Sequence, residues 1–228
     1  MILFGNQQNR STLVTYGNGL LYNWYAVSQA NFAPAGWHVP TQAEFNTVAT
    51  YLGGASVAGG KMKSTRTGLN PGWNSPNTGA DGELGFKAFG AGRRINDGTF
   101  GLIYNYTYFW SLPQTGGTTA NAYYNAFNSD DLFITSYLKI YGFSTRLIKD
   151  DSIWYPGMTV TDLDGNKYAT VKIGNQVWLK SNWKCTKYND GTPIPNVTNG
   201  NAWSNLTTGA YCSYNNQPIV EYFEKFPL

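Results

Sequence analysis

The chain predicts an α+β fold that is loop-rich, with small twisted antiparallel sheets and one or two helices. Three observations carry that expectation. The composition holds 26 Gly, 17 Tyr, 16% aromatic and only 13% charged residues, a profile that suits a β-containing domain with many loops and neither a coiled coil nor a disordered tail. The stretch from Thr41 to Leu52 carries a complete helix signature, and residues 168–180 alternate as a hairpin. With 228 residues, folding can bury on the order of 70% of the unfolded surface.

Taken in order, LLYNWYAV at 20–27 reads as a strand, although its apolar density also permits a buried helix. Thr41-Gln42-Ala43-Glu44 is a capping box, with Pro40 sharpening the entry. Phe45, Val48 and Leu52 then share one face, and Gly53-Gly54 ends the helix. From Gly53 to Phe100 the sequence is mostly Gly, Asn and Ser punctuated by Trp73, Phe86 and Phe89. Long ordered loops are expected there, since aromatics need burial. Phe109 and Trp110 are expected in the core. Asp164-Gly165-Asn166 makes a tight turn before the hairpin KYATVKI–GNQ–VWLK, whose candidate core positions are Tyr168, Val171, Ile173, Val177 and Leu179. Tyr188-Asn189-Asp190-Gly191 marks a further turn, followed by a loop through Pro193 and Pro195.

Several of these runs occur together in a family pattern. YGNGLLYNWYAV (16–27), AGWHVPTQAEF (35–45), YGFSTRLIKD (141–150) and GNKYATVKIGNQVW (165–178) resemble the Fibrobacter succinogenes major paralogous domain. That family comprises secreted or surface modules related to the C-type-lectin and formylglycine-generating-enzyme fold. In it the GNKYATVKIGNQVW-like part comes first and the GFSTRLIKD-like part last. Here the last part ends at Asp150 and the first part follows it. The resemblance therefore implies one circularly permuted C-type-lectin-like domain over 16–216. Residues 151–158 are the join, 1–15 an N-terminal extension and 217–228 a tail that docks on its own domain or on a partner subunit. Where the family usually has a cysteine in its closing motif this chain has Leu147, so a disulfide through that position is absent.

Catalytic and metal chemistry find little to work with. His38 is the single histidine; it lies in GWHVP directly before a capped helix, where the resemblance implies a packing residue. Cys185 and Cys212 are the two cysteines. A bridge between them would be worth roughly 3 kcal/mol; the alternative is two buried thiols. One histidine without a CxxC pair argues against zinc. Asp162, Asp164 and Asn166 alternate like the opening of a calcium loop, but Ile173 stands where an EF-hand needs its closing Glu, so a hairpin turn is the better reading. The signatures of calcium-dependent sugar-binding lectins are missing, and Asn74 in GWNSPN does not replace them. The expectation is no enzyme, no cofactor and no metal. A formal charge of +3 with scattered basic residues gives no support to nucleic-acid binding. No apolar run reaches membrane-spanning length, and MILFGNQQNR lacks a signal-peptide pattern.

The segment 96–133 concentrates tyrosine and asparagine. Tyr104, Asn105, Tyr106, Tyr108, Tyr123, Tyr124, Asn125, Asn128, Asp130 and Asp131 are its candidate ligand-binding residues. Tyrosine supplies flat contact area at low entropic cost and asparagine supplies adaptable hydrogen bonding. By resemblance, this is the segment that displays ligand-facing residues in C-type-lectin folds. Its composition also resembles the output of adenine-directed diversification. The function expected is a non-catalytic recognition or display module for a cell-surface glycan or protein. The favoured setting is a virion, as a fibre or capsid-decoration component of a phage of gut Bacteroidetes. The alternatives are a bacterial secreted or surface-anchored module and a purely structural assembly protein, a homo-oligomer or a partner of other virion proteins.

Overall fold

Two five-stranded sheets and a two-stranded pair, with four short helices beside them, make up the described part of the chain. The computed structural model describes residues 19–68 and 71–218. The extension 1–15, and the tail beyond residue 218, lie outside the described residues. In chain order the elements are β1 (Leu21–Tyr22), α1 (Trp24–Val27), β2 (Trp37–His38), α2 (Gln42–Tyr51), α3 (Ala55–Met62), β3 (Ala91–Arg94), β4 (Phe100–Ile103), β5 (Tyr106–Gln114), β6 (Thr119–Ala126), β7 (Phe133–Leu138), β8 (Ile148–Lys149), β9 (Thr159–Thr161), β10 (Lys167–Ile173), β11 (Gln176–Leu179), α4 (Gly200–Ser204) and β12 (Tyr211–Cys212). The coarse class is α+β, with strands predominating.

Helix α2 forms where the capping box places it. The Glu44 amide donates to Thr41 Oγ1 at 3.3 Å, and Glu44 Oε2 accepts from the Thr41 amide at 2.7 Å. Its buried face presents Phe45, Val48 and Ala49. Gly53, at φ 104°, takes the left-handed turn that ends it. The hairpin also follows the sequence: Ile173 pairs with Gln176 across Gly174-Asn175, and all five anticipated core residues are buried. Asp162 stabilises the turn before it. Its Oδ1 accepts from the amides of Asp164 and Asn166, and its Oδ2 accepts from Asn166 Nδ2 and from the Tyr168 hydroxyl at 2.6 Å.

Two readings need correction. The run 20–27 is a strand only over Leu21–Tyr22, because the Asn23 side chain accepts from the Ala26 amide and caps a short helix there. The segment 53–100, read as loop, contains α3 and β3. Gly59 and Gly60 lower helix propensity, which hid α3. Packing demands them: a Cβ on Gly59 would lie 1.9 Å from the Asp131 carbonyl oxygen.

The C-terminal segment is woven into the rest. One sheet runs β2-β8-β11-β10-β9, so residues 159–179 join strands from residues 37–38 and 148–149. β1 pairs with β12. One buried core combines Tyr22, Phe32, Trp110 and Phe143 with Tyr168, Val177, Leu179 and Trp183. A second lies among helices α2 and α3, the other sheet, β4-β3-β5-β6-β7, and Ile148, Val171, Ile173 and Trp178 of the first sheet.

Two buried arginines tie the segments together. Arg94 donates to the carbonyls of Gly98, Val197 and Thr198, with Trp203 and Phe100 on its faces. Arg146 donates to Asn182 Oδ1 at 2.6 Å, to the carbonyls of Phe86 and Leu179 at 2.8 Å and to that of Lys87 at 3.3 Å.

Candidate functional site

Strand alternation divides the tyrosine-rich segment between two faces of one sheet. Tyr106, Tyr108 and Trp110 of β5 point one way, and Thr107 and Phe109 point the other. The register places Tyr124 of β6 opposite Tyr108, and Phe133 of β7 opposite Tyr124. Cross-strand partners share a face, so these rings fall together.

The opposite face is core. Tyr123 is 3% exposed, its ring stacks on Phe45 at 4.3 Å, and its hydroxyl donates to Asn46 Oδ1 at 2.8 Å. Asn125 is fully buried and donates to the Gly59 carbonyl at 3.0 Å. Burial removes both from the ligand-facing set anticipated from the sequence. The loop carrying Asn128, Asp130 and Asp131 closes on α3 instead of joining the aromatic face. The Gly60 amide donates to the Asp130 carbonyl, Asp131 Oδ2 accepts from Ser129 Oγ, and Lys63 Nζ donates to the carbonyls of Ala126 and Ser129. Asn128 is exposed on that loop. Tyr104, at φ 63°, and Asn105 shape the turn between β4 and β5, where Asn105 Oδ1 accepts from Asn74 Nδ2 at 2.8 Å.

What remains is an aromatic platform with a buried floor and half-exposed walls. Tyr108, 2% exposed, is the floor and stacks on Phe143 at 4.7 Å, which in turn packs on Trp110 at 4.5 Å. Around it stand the half-exposed rings of Tyr106, Tyr124, Phe133, Tyr137 and Tyr141. Tyr124 lies 5.3 Å and Tyr137 5.7 Å from Tyr108, Tyr124 stacks on Phe133 at 4.8 Å, and Tyr141 sits 5.6 Å from Tyr137. The Arg93 guanidinium lies over Tyr108 at 5.4 Å and Tyr141 at 5.8 Å, and donates to the Tyr108 hydroxyl at 3.5 Å. Burial raises the hydroxyl pKa of Tyr108 and Tyr137 while Arg93 pulls both down, and the net is upward. Both therefore stay protonated near neutrality.

The structure thus brings together Tyr106, Tyr108 and Tyr124 of the anticipated set. It adds Arg93, Phe133, Tyr137 and Tyr141, which the sequence reading missed. The period-two spacing of Phe133, Thr135 and Tyr137 was the available signal. Nothing local in the sequence pointed to Arg93, whose place depends on the parallel bridge between Gly92 and Thr107.

The other candidates resolve as structural features. Both cysteines are free and buried, Cys185 in the first core and Cys212 on β12, so the bridge reading gives way to two thiols. Burial pushes the Cys212 thiol up to about 12. His38 lies between Glu44 Oε1 at 2.8 Å and Asp150 Oδ1 at 2.6 Å. Among the described residues, no group of three or more His, Cys, Asp or Glu is placed to hold a metal ion, and no helix is long and apolar enough to cross a membrane. A groove of about 600 Å³ runs between Leu20, Asp164, Lys184, Tyr211 and Asn216. Asp164 is already engaged there by Thr186 and Lys187.

A family model described as the Fibrobacter succinogenes major domain matches residues 3–149. No curated protein and no solved structure matches the chain significantly.

Proposed function

The chain belongs to the Fibrobacter succinogenes major domain family, and from that premise we propose that it is a non-catalytic recognition module whose ligand-facing surface is the aromatic platform of β5, β6 and β7. The reading includes a C-type-lectin-like fold in circularly permuted order, joined at 151–158, which is mostly exposed. It also includes display on a phage particle, or alternatively on a bacterial cell, with a cell-surface glycan or protein as ligand.

One observation carries the proposal: tyrosine rings remain half-exposed on a face whose floor is fully packed. Rings needed only for the core are buried elsewhere in this molecule, as Tyr22 and Tyr168 are. Flat rings with polar edges held on rigid strands supply contact area at little entropic cost. The absence of catalysis is supported by His38 being engaged through both ring nitrogens and by both thiols being buried.

The test is binding of the purified protein to intact Bacteroidetes cells and to a glycan array, beside a variant with Tyr106, Tyr124 and Tyr137 changed to Ser. Loss of binding at unchanged thermal stability is the expected result. Binding that survives the triple change would place the site elsewhere, with the 600 Å³ groove as the next surface to mutate.

A further inference from the structure

Arg93 is the one feature of the platform that aromatic packing alone does not account for. It is half-exposed, and among the described residues it has no acidic partner. Its one hydrogen bond, to the Tyr108 hydroxyl, is long at 3.5 Å. A guanidinium carries five N–H donors in a planar fork shaped for carboxylates. Here one face of that fork lies against Tyr108 and Tyr141, which fixes its plane and leaves most donors for something else.

The strand beside it leaves room. Arg93 pairs with Gly101 of β4, so a side chain at 101 would rise on the same side of the sheet. A Cβ built on Gly101 meets nothing within 4 Å. Open space next to an unpaired cation, bordered by tyrosine hydroxyls and ring faces, is a place where a charged group can sit while an attached ring stacks on the aromatics.

Building on the recognition reading above, we infer that the platform takes an acidic glycan. The sugar ring packs on Tyr106, Tyr124 and Tyr137, and its carboxylate is received by Arg93 over Gly101. A sugar is favoured over an acidic peptide because the hydroxyls around the platform both donate and accept. They therefore match a ring edge carrying several hydroxyls, whereas a peptide side chain offers one charged tip. A charge-assisted hydrogen bond of this kind, partly shielded from water, discriminates by roughly 10- to 100-fold.

The experiment is a titration of the intact protein with matched pairs that differ only in the acid: oligogalacturonate against its methyl ester, sialyllactose against lactose, and glucuronate-ended against glucose-ended oligosaccharides. Poly-glutamate serves as the non-sugar acid. At least one acidic sugar is expected to bind about tenfold or more tighter than its neutral partner. The preference should weaken with added salt and vanish in Arg93→Gln, which keeps a hydrogen-bond donor and removes the charge. Gly101→Trp, whose Cβ would enter open space, should block the acidic sugar at an unchanged melting temperature.

Equal binding of acid and neutral partners, or a preference that survives Arg93→Gln, overturns the acidic-glycan assignment and leaves the recognition reading standing. Equal binding of poly-glutamate overturns the sugar assignment. No binding to any probe overturns both the assignment and the glycan form of the recognition reading.

Discussion

Arg146 should be among the most sensitive positions in the molecule. It is 1% exposed and, among the described residues, has no carboxylate partner. Its charge is satisfied by Asn182 Oδ1 and by the carbonyls of Phe86, Leu179 and Lys87, and its plane lies on Phe86 at 4.4 Å. Burial pushes its pKa down to about 9, which still leaves it charged at neutral pH. Replacing a buried ion pair by apolar residues is often harmless, because both charges leave together. Here the acceptors are backbone carbonyls, which stay. Arg146→Met keeps most of the volume yet strands buried oxygens at about 1–3 kcal/mol each. Partial relaxation brings the expected total to about 4 kcal/mol, a large share of the roughly 5–15 kcal/mol that holds a domain together. Arg146→Lys, with fewer donors and no planar face, should lose about half of that. Urea unfolding followed by tryptophan fluorescence measures both. An Arg146→Met protein within 1 kcal/mol of the parent, or more stable than Arg146→Lys, would refute the claim that these carbonyls depend on the guanidinium.

Three further outcomes follow from other sites. The hydrogen bond to Glu44 raises the His38 pKa above 6.5, burial opposes it and Asp150 adds to it. The bridge therefore contributes fully below pH 6.5 and fades as pH rises through the raised folded value. Because all three groups are partly exposed, the effect should stay below about 1 kcal/mol. It should appear as a stability gap between the parent and His38→Gln that narrows from pH 6 to pH 8. Cys185 and Cys212 should resist a thiol reagent in the native protein and react together on unfolding, with the melting temperature unaffected by reductant. Labelling of Cys212 in the native state would contradict its burial. Gly59→Ala, which would help an ordinary helix, should destabilise by about 1–3 kcal/mol or more, because the new Cβ meets the Asp131 carbonyl. A raised melting temperature would show that the loop after β6 can yield.

What could be read from the sequence follows from where the information is local. The α2 cap, the Gly174-Asn175 hairpin and the Asp162 turn are each specified within a few residues, and each forms as read. Helix α3 was hidden because Gly59 answers to the loop at Asp131 and Gly60 to the backbone at Gly79, where packing overrides propensity. The site divides in the same way. The tyrosine-rich composition located the segment, but without strand boundaries the alternation could not be phased, so Tyr123 and Asn125 were grouped with rings on the opposite face. A shift of one residue exchanges the faces of a strand. Tyr137 had a local signal in the period-two spacing of β7, whereas Arg93 reaches the platform through the bridge between Gly92 and Thr107, which no local pattern encodes.

The family match ends at residue 149, yet the packing does not divide there. Tyr168, Val177, Leu179 and Trp183 fill the same core as Tyr22 and Phe143, and the acceptors for Arg94 and Arg146 include Val197, Thr198, Leu179 and Asn182. The aromatic platform, by contrast, is built from residues 93–141. The two regions meet beneath its floor, where Tyr108 stacks on Phe143, Phe143 packs on Trp110, and Trp110 Nε1 donates to the Tyr22 carbonyl at 2.8 Å. Tyr22 in turn donates to the Cys185 carbonyl at 2.7 Å and pairs with Tyr211 in β12. The C-terminal segment therefore supports the layer on which the platform rings stand. Under the proposed recognition role, tyrosines whose positions are set before a ligand arrives bind it at lower entropic cost. In this chain that pre-setting is the work of residues 159–212.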